Sequence, residues 1–342
     1  MQLPYQVWSG GRTTLNSRKL LVTALVLSLV AAAGYRVVHR QRTVELSRTF
    51  TVLGTFATVI VTAEQQEAPV FIQKADSLLA YLDVQLGRFS ETGQLYRLNN
   101  GCSIPVDQEL AELILKSDTM VTATNGCFDP SLGAVVQLWG FPEATCIPDS
   151  NDIIQALART GWETRVHFTA DSVTIDSSTV MDFGAIAKGY AVDRTYELLM
   201  RLGASECLVE AGGEIRCGSS TGRIWNIGIR HPREDNLLGI IGITSGAVAT
   251  SGDYECYFVE DGVRYSHLLD RRTGYPSGNA ASATVVADNC ATADAFATAA
   301  AVAGPDRASE FPDSLYTAMV IVTSDSNDRC ETHEFGDVPW AN

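Results

Sequence analysis

Three short stretches of this chain carry residue types that can do chemistry on an anion. The first is MDFGAIAKGYAVDR at 181–194, where Asp182 stands before a glycine and Lys188 falls one turn into the helix predicted to follow. That helix repeats apolar residues at Ala191, Val192, Thr195, Leu198, Leu199 and Leu202, so Lys188 emerges on its inward side near the N-terminus. An inward lysine is costly unless it meets an anion. A helix N-terminus favours the same partner through its unpaired N–H groups and positive dipole end. Two readings stay open, a phosphate site and a structural Lys–Asp pair. The pattern is not G-x-x-x-x-G-K-[ST], so a P-loop is not supported.

The second stretch is TADAFATAAAVAG at 292–304. Asp294 and Thr298 are four apart on an alanine-rich helix and point the same way, with small neighbours that let another backbone come close. A carboxylate plus a hydroxyl is hard-cation chemistry, and Mg²⁺ takes one or two protein oxygens alongside ligand phosphates. The competing reading makes Asp294 a cap near the helix start. The third stretch, GAVATSGDYECYFVEDGVRYSHLLDRRTGYPSG at 246–278, offers Thr250, Ser251 and Gly252 as a small-residue turn suited to phosphate oxygens. It also holds His267, which is either a structural histidine or a general base that titrates near neutral pH. Taken together, these groups fit a metal-dependent enzyme acting on a phosphoanhydride.

The elements that must position these groups are readable from hydrophobic period. Residues 48–64 alternate as a strand pair or one bent strand. A helix carries Phe71, Ala75, Leu78, Leu79, Leu82 and Leu86 on one face. Residues 89–101 read as a turn-rich loop, and a second helix through Leu110, Leu113, Ile114, Met120 and Val121 ends near Asn125-Gly126. Residues 128–143 read as irregular, and a short helix at 151–160 starts from a Ser150/Asn151 cap. Strands are predicted at 172–176, 206–218 (broken at Gly212-Gly213), 224–230, 238–244, 246–252, 254–259 and 316–323, with helices at 185–203 and 291–303. This order predicts an α+β fold of mixed sheets and packed helices, in one continuous domain over 43–342.

Composition narrows the function further. The chain has 342 residues, 46% hydrophobic and 19% charged, as a folded protein does. Six of its 25 Lys/Arg and none of its 40 Asp/Glu fall within residues 1–42, so the rest of the chain carries a net charge of −21. So acidic a body excludes nucleic acid as a partner. It also repels a phosphorylated ligand unless the site supplies cations of its own. Residues 1–42 form a basic segment whose uncharged core, residues 20–35, is short for a membrane span and long for a signal-peptide core. We expect a single N-terminal anchor or signal there, with the body on the outer, periplasmic face of a bacterial cytoplasmic membrane. Eight cysteines show no C-x-x-C pair and no zinc-type spacing, and most are expected in the core.

Several blocks, in one order from about residue 48 to about 323, resemble the FAD:protein FMN transferase (ApbE) family. They are LGRFSETGQLYRLN, FDPSLGAVVQLWGF, MDFGAIAKGYAVDR, VEAGGEIRCG, ATSGDYECYF…RYSHLLDRRTGYP and ADAFATAAAVAG. The resemblance implies an α+β fold that binds FAD in a cleft, with Mg²⁺ bridging its pyrophosphate. The implied reaction cleaves FAD, attaches FMN to a Thr or Ser of an acceptor protein, and releases AMP. By position it implies Ala185 (carbonyl), Asp294 and Thr298 as metal ligands and Lys188 as a cofactor contact. His267 falls near the acceptor hydroxyl, and Thr250, Ser251, Gly252 and Asp193 fall on the cofactor side. Asp182 is expected to brace the turn that aims Ala185 and Lys188. Gly93 and Tyr96 depart from the small hydroxyl residues common in relatives. The alternatives are an FAD pyrophosphatase using water, and a non-catalytic, membrane-anchored flavin-binding protein.

Overall fold

The computed structural model describes residue 28 and residues 42–341, apart from 102 and 170. Val44–Asn342 form one compact unit. The remaining unit, Met1–Thr43, includes the apolar run at 20–35, which lies outside the described residues apart from Ser28. Among the described residues no helix is long and apolar enough to cross a membrane.

The strand pair expected at 48–64 is a hairpin of β1 (Thr43–Val52) and β2 (Thr55–Glu64). Its two-residue turn, Leu53-Gly54, has positive φ at both positions, as a tight hairpin demands. Alternation in β2 buries Ala57, Val59, Val61 and Ala63. The hairpin edges an eight-stranded sheet that continues through β6 (Glu206–Ala211), β7 (Glu214–Ser219), β10 (Ser245–Gly252), β13 (Ser282–Ala287), β14 (Ala318–Ser324) and β15 (Cys330–Gly336). Pairing from β2 onward is antiparallel throughout.

Three helices cover one face of this sheet: α1 (Ala68–Leu86), α7 (Ala187–Arg201) and α8 (Cys290–Ala308). The apolar stripe of α1 buries Phe71, Ile72, Ala75, Leu79, Leu82 and Leu86. Each large side chain there contributes roughly 1.5–3 kcal/mol relative to exposure. Alanines make α8 thin enough to lie close to β10 and α7, and the helix breaks at Gly304, where φ is 72°. On the other face, the hairpin of β8 (Trp225–Arg230) and β9 (Leu237–Ile243) packs Trp225, Ile227, Ile229 and Ile241 over Val248 and Val286.

A second, smaller core gathers Trp139, Phe141, Ile153 and Leu269. It is built from α4 (Gly133–Trp139), α5 (Ser150–Leu157) and the hairpin of β11 (Tyr257–Glu260) and β12 (Val263–Ser266). The expected α+β class is the one observed. Several local expectations are corrected. The stretch read as a loop at 89–101 contains α2 (Gln94–Gly101), which buries Gln94, Leu95 and Leu98 on one side. The stretch read as irregular contains α4. The cap of α5 is Asp149, whose side chain accepts the Asn151 N–H at 2.8 Å, rather than Ser150 or Asn151. α3 (Gln108–Ala123) ends where expected, at Asn125-Gly126, both with positive φ.

Candidate active site

The two cores face each other across a cavity of about 810 Å³. The smaller core contributes the apolar lining residues Leu132, Val136 and Phe141, and the main core contributes Phe128. The cavity is also lined by Ala185, Lys188, Thr250, Ser251, Gly252, His267, Asp294 and Thr298, from the main sheet, its helices and the segment after β12. Residues spread over more than a hundred positions of sequence thus share one cleft that is lined by both apolar and charged groups. Such a cleft suits a ring system joined to an anionic group.

Lys188 reaches this cavity from the second residue of α7, whose N-terminus carries no side-chain cap. Its Nζ donates to Gly184 O at 3.3 Å and pairs with Glu214 Oε1 at 3.4 Å. Burial alone would push the ammonium down, but the Asp294 and Glu214 carboxylates outweigh it and hold the lysine above its ordinary range. Lys188 is therefore a fixed cation at neutral pH. Burial pushes the Asp294 and Glu214 carboxyls up, and the Lys188 charge between them opposes the shift. The partner of Lys188 is thus Glu214 rather than Asp182.

Asp294 is not a helix cap, because Asn289 caps α8 through its side chain. Its Oδ2 accepts the Gly189 N–H at 3.0 Å, which leaves Oδ1 available. One turn on, Thr298 Oγ1 lies 3.0 Å from Ser251 Oγ. Thr250, Ser251 and Gly252 are the end of a central strand rather than the turn expected from sequence. The Thr250 hydroxyl meets that of Thr284 at 2.9 Å, and both Thr250 and Ser251 are half-buried.

His267 follows β12 directly. Its backbone N–H and its ring Nδ1 both approach the Cys256 carbonyl, at 3.0 and 3.3 Å. A carbonyl only accepts, so the neutral ring carries its proton on Nδ1 and leaves the Nε2 lone pair unused. Burial, joined by the Lys188 charge, lowers the imidazole below its ordinary range and favours this neutral form.

Asp182 braces the corner as expected. Oδ1 accepts the Gly184 N–H and Oδ2 pairs with Arg88, both at 2.8 Å. Gly93 also has a local cause, because a Cβ there would fall 2.0 Å from Val84 O. Asp193 is the one predicted residue that does not line the cavity. It is 2% exposed, accepts the Cys290 and Ala291 N–H groups at the start of α8 at 2.8 and 2.9 Å, and pairs with Arg216 at 2.8 Å. Its carboxylate holds α8 in place, so the cofactor-side expectation for Asp193 gives way to a structural one. Sequence reading missed Glu214. The available signal was an acid directly after Gly212-Gly213, at the start of a strand that returns into the core.

The donor set fits a hard divalent ion. Asp294 and Thr298 offer a carboxylate and a hydroxyl oxygen next to the Ala185 segment, and the remaining positions suit ligand phosphates. Among the described residues no group of three His, Cys, Asp or Glu side chains stands ready to hold a metal. The seven described cysteines are all free thiols.

Residues 53–321 match the ApbE family model. The chain belongs to the ApbE family. It is 34% identical over 266 residues to the FAD:protein FMN transferase of Vibrio cholerae serotype O1, covering 73% of this chain and 79% of that one. Against the FAD:protein FMN transferase of Rhodobacter capsulatus it is 33% identical over 300 residues, which span 83% of this chain but only 56% of the relative. The ApbE protein of Thermotoga maritima shares the fold with a TM-score of 0.76 at 33% identity, covering 85% of this chain and 96% of that one. The apo flavinyl transferase ApbE of Pseudomonas stutzeri gives 0.76 at 28% identity, covering 85% and 95%. Flavin transfer is the activity for which the family's curated members are named.

Proposed function

We propose that this cavity takes FAD as substrate and transfers its FMN half, through a phosphoester bond, to a Thr or Ser hydroxyl of an acceptor protein, releasing AMP. One observation carries the reading. A fixed cation, a hard-oxygen pair and a neutral histidine with an unused Nε2 line one cavity together with a cluster of apolar side chains.

Lys188 faces the pyrophosphate and offsets its charge within an otherwise acidic protein. Phe128, Leu132, Val136 and Phe141 give a ring system its apolar berth. His267 Nε2 takes the proton of the acceptor hydroxyl as that oxygen bonds to the FMN phosphorus. The bond from this phosphorus to the bridging oxygen breaks, and AMP leaves with that oxygen. Asp294, Thr298 and the Ala185 carbonyl are the residues that would hold Mg²⁺, which when bound supplies charge neutralisation for the phosphates.

With water in place of the acceptor, the same groups would hydrolyse FAD to FMN and AMP. The apolar run at 20–35 supports presentation of the catalytic unit at a membrane, where the acceptor would be a membrane-associated flavoprotein subunit. The metal assignment is tested by thermal melts of the wild type and Asp294→Asn with FAD, with and without Mg²⁺. Wild type should gain stability from the pair of ligands beyond that from FAD alone. An equal gain in Asp294→Asn would remove Asp294 from the metal site.

A further inference from the structure

Glu214 lines the cavity, and the reaction above gives its carboxylate no task. Its side chain is 4% exposed, and one oxygen, Oε1, pairs with Lys188 at 3.4 Å. The other, Oε2, is buried with no hydrogen-bond partner among the described residues. A buried carboxylate oxygen left without a donor costs about 1–3 kcal/mol or more. Its neighbours across the β6–β7 turn are the Gly212 backbone and Thr55, and a Cβ on Gly212 would itself come within 3.4 Å of Oε2. Glu214, Gly212 and Thr55 all line the cavity, so a molecule bound there can supply the donor.

We propose that Glu214 Oε2 accepts a hydrogen bond from a sugar hydroxyl of the bound dinucleotide, next to the phosphate that Lys188 meets. This rests on the reading of the cavity as the FAD site. Both oxygens of a carboxylate share one carbon, so Oε2 stands beside the position Lys188 serves. On a dinucleotide, the donors nearest a phosphate are the hydroxyls of the ribityl chain or of the ribose. The ring N–H groups lie a full sugar farther away. Thr55, Thr250 and Thr298 bring hydroxyls to the same cavity, but none of them reaches Oε2. The Glu214 side chain thus does two things, placing Lys188 with one oxygen and reading a polyol with the other.

Calorimetric binding of FAD, FMN, AMP and inorganic pyrophosphate to the full chain tests this, using wild type, Glu214→Gln and Glu214→Asp. In Glu214→Gln the amide oxygen faces Lys188 and the NH₂ turns toward the cavity, so an acceptor becomes a donor. FAD binding should weaken roughly tenfold, the scale of a charge-assisted hydrogen bond. Pyrophosphate, which carries no hydroxyl of this kind, should hold within about twofold. A matching loss for FMN assigns the ribityl chain, and a matching loss for AMP assigns the ribose. Glu214→Asp keeps the charge but withdraws it by one methylene, and it should show the same selectivity, which carries the test if the Gln variant does not fold. Unchanged FAD binding, or equal weakening of all four ligands, would overturn the proposal, the latter by showing that Glu214 only places Lys188. A wild type that binds no FAD would instead sink the reading of the cavity.

Discussion

The Gly189 N–H donates to Asp294 Oδ2 across 3.0 Å, joining the first turn of α7 to the Asp294 carboxylate of α8. The contact exists because residue 189 has no side chain. A Cβ there would fall 2.4 Å from Cys290 O and 2.8 Å from Asp294 Cβ.

Gly189→Ala should therefore cost stability and activity together. Helix propensity gains about 1 kcal/mol from the change, but forcing α7 off α8 costs roughly 1–3 kcal/mol and displaces Asp294. Thermal melts and FMN-transfer rates on the same variant check this. A more stable and fully active protein would show that the two helices can separate without disturbing the site.

As the proposed base, His267 should set the acid side of the pH profile. Burial and Lys188 hold the ring below the ordinary histidine value of 6.5, so the neutral base survives to lower pH. Transfer should fall as pH drops through a midpoint under 6.5, because protonation removes the Nε2 lone pair. His267→Gln should slow transfer by about 10²- to 10⁴-fold and erase that limb. A limb centred above the ordinary value, or one retained in His267→Gln, would assign the base elsewhere.

Asp193 should behave as a structural acid. Asp193→Ala leaves Arg216 short of its main partner and the α8 N–H groups of Cys290 and Ala291 unpaired. Breaking such a buried pair costs about 3–5 kcal/mol, or a fall in Tm on the order of 10 °C. Calorimetry and FAD titration separate the roles. An unchanged Tm with weakened FAD binding would return Asp193 to the cofactor.

The sequence was legible where period and punctuation agreed. The α1 stripe and the Asn125-Gly126 stop follow from local pattern, and Asp294 and Thr298 share a face because they are four positions apart. The α2 and α4 helices were hidden by turn-forming Asn and Gly in one case and by Pro and Gly in the other, although the spacing of Leu95 and Leu98 was helical. Thr250-Ser251-Gly252 looked like a turn because small residues also suit a strand end pressed against an alanine-rich helix. Glu214 was out of reach because only the cross-strand register of β6 and β7 brings it to Lys188. Asp193 was misplaced for the converse reason, since its partner N–H groups lie almost a hundred residues away.

The central claim is that Asp294, Lys188 and His267 together deliver FMN to a protein hydroxyl. The direct measurement incubates the protein with FAD, Mg²⁺ and a Thr-bearing acceptor domain, then follows flavin fluorescence on the acceptor and AMP in solution. Wild type should yield labelled acceptor and AMP in equal amounts, and Asp294→Ala neither. Labelling that persists in Asp294→Ala, or FMN found only free in solution, would contradict that claim.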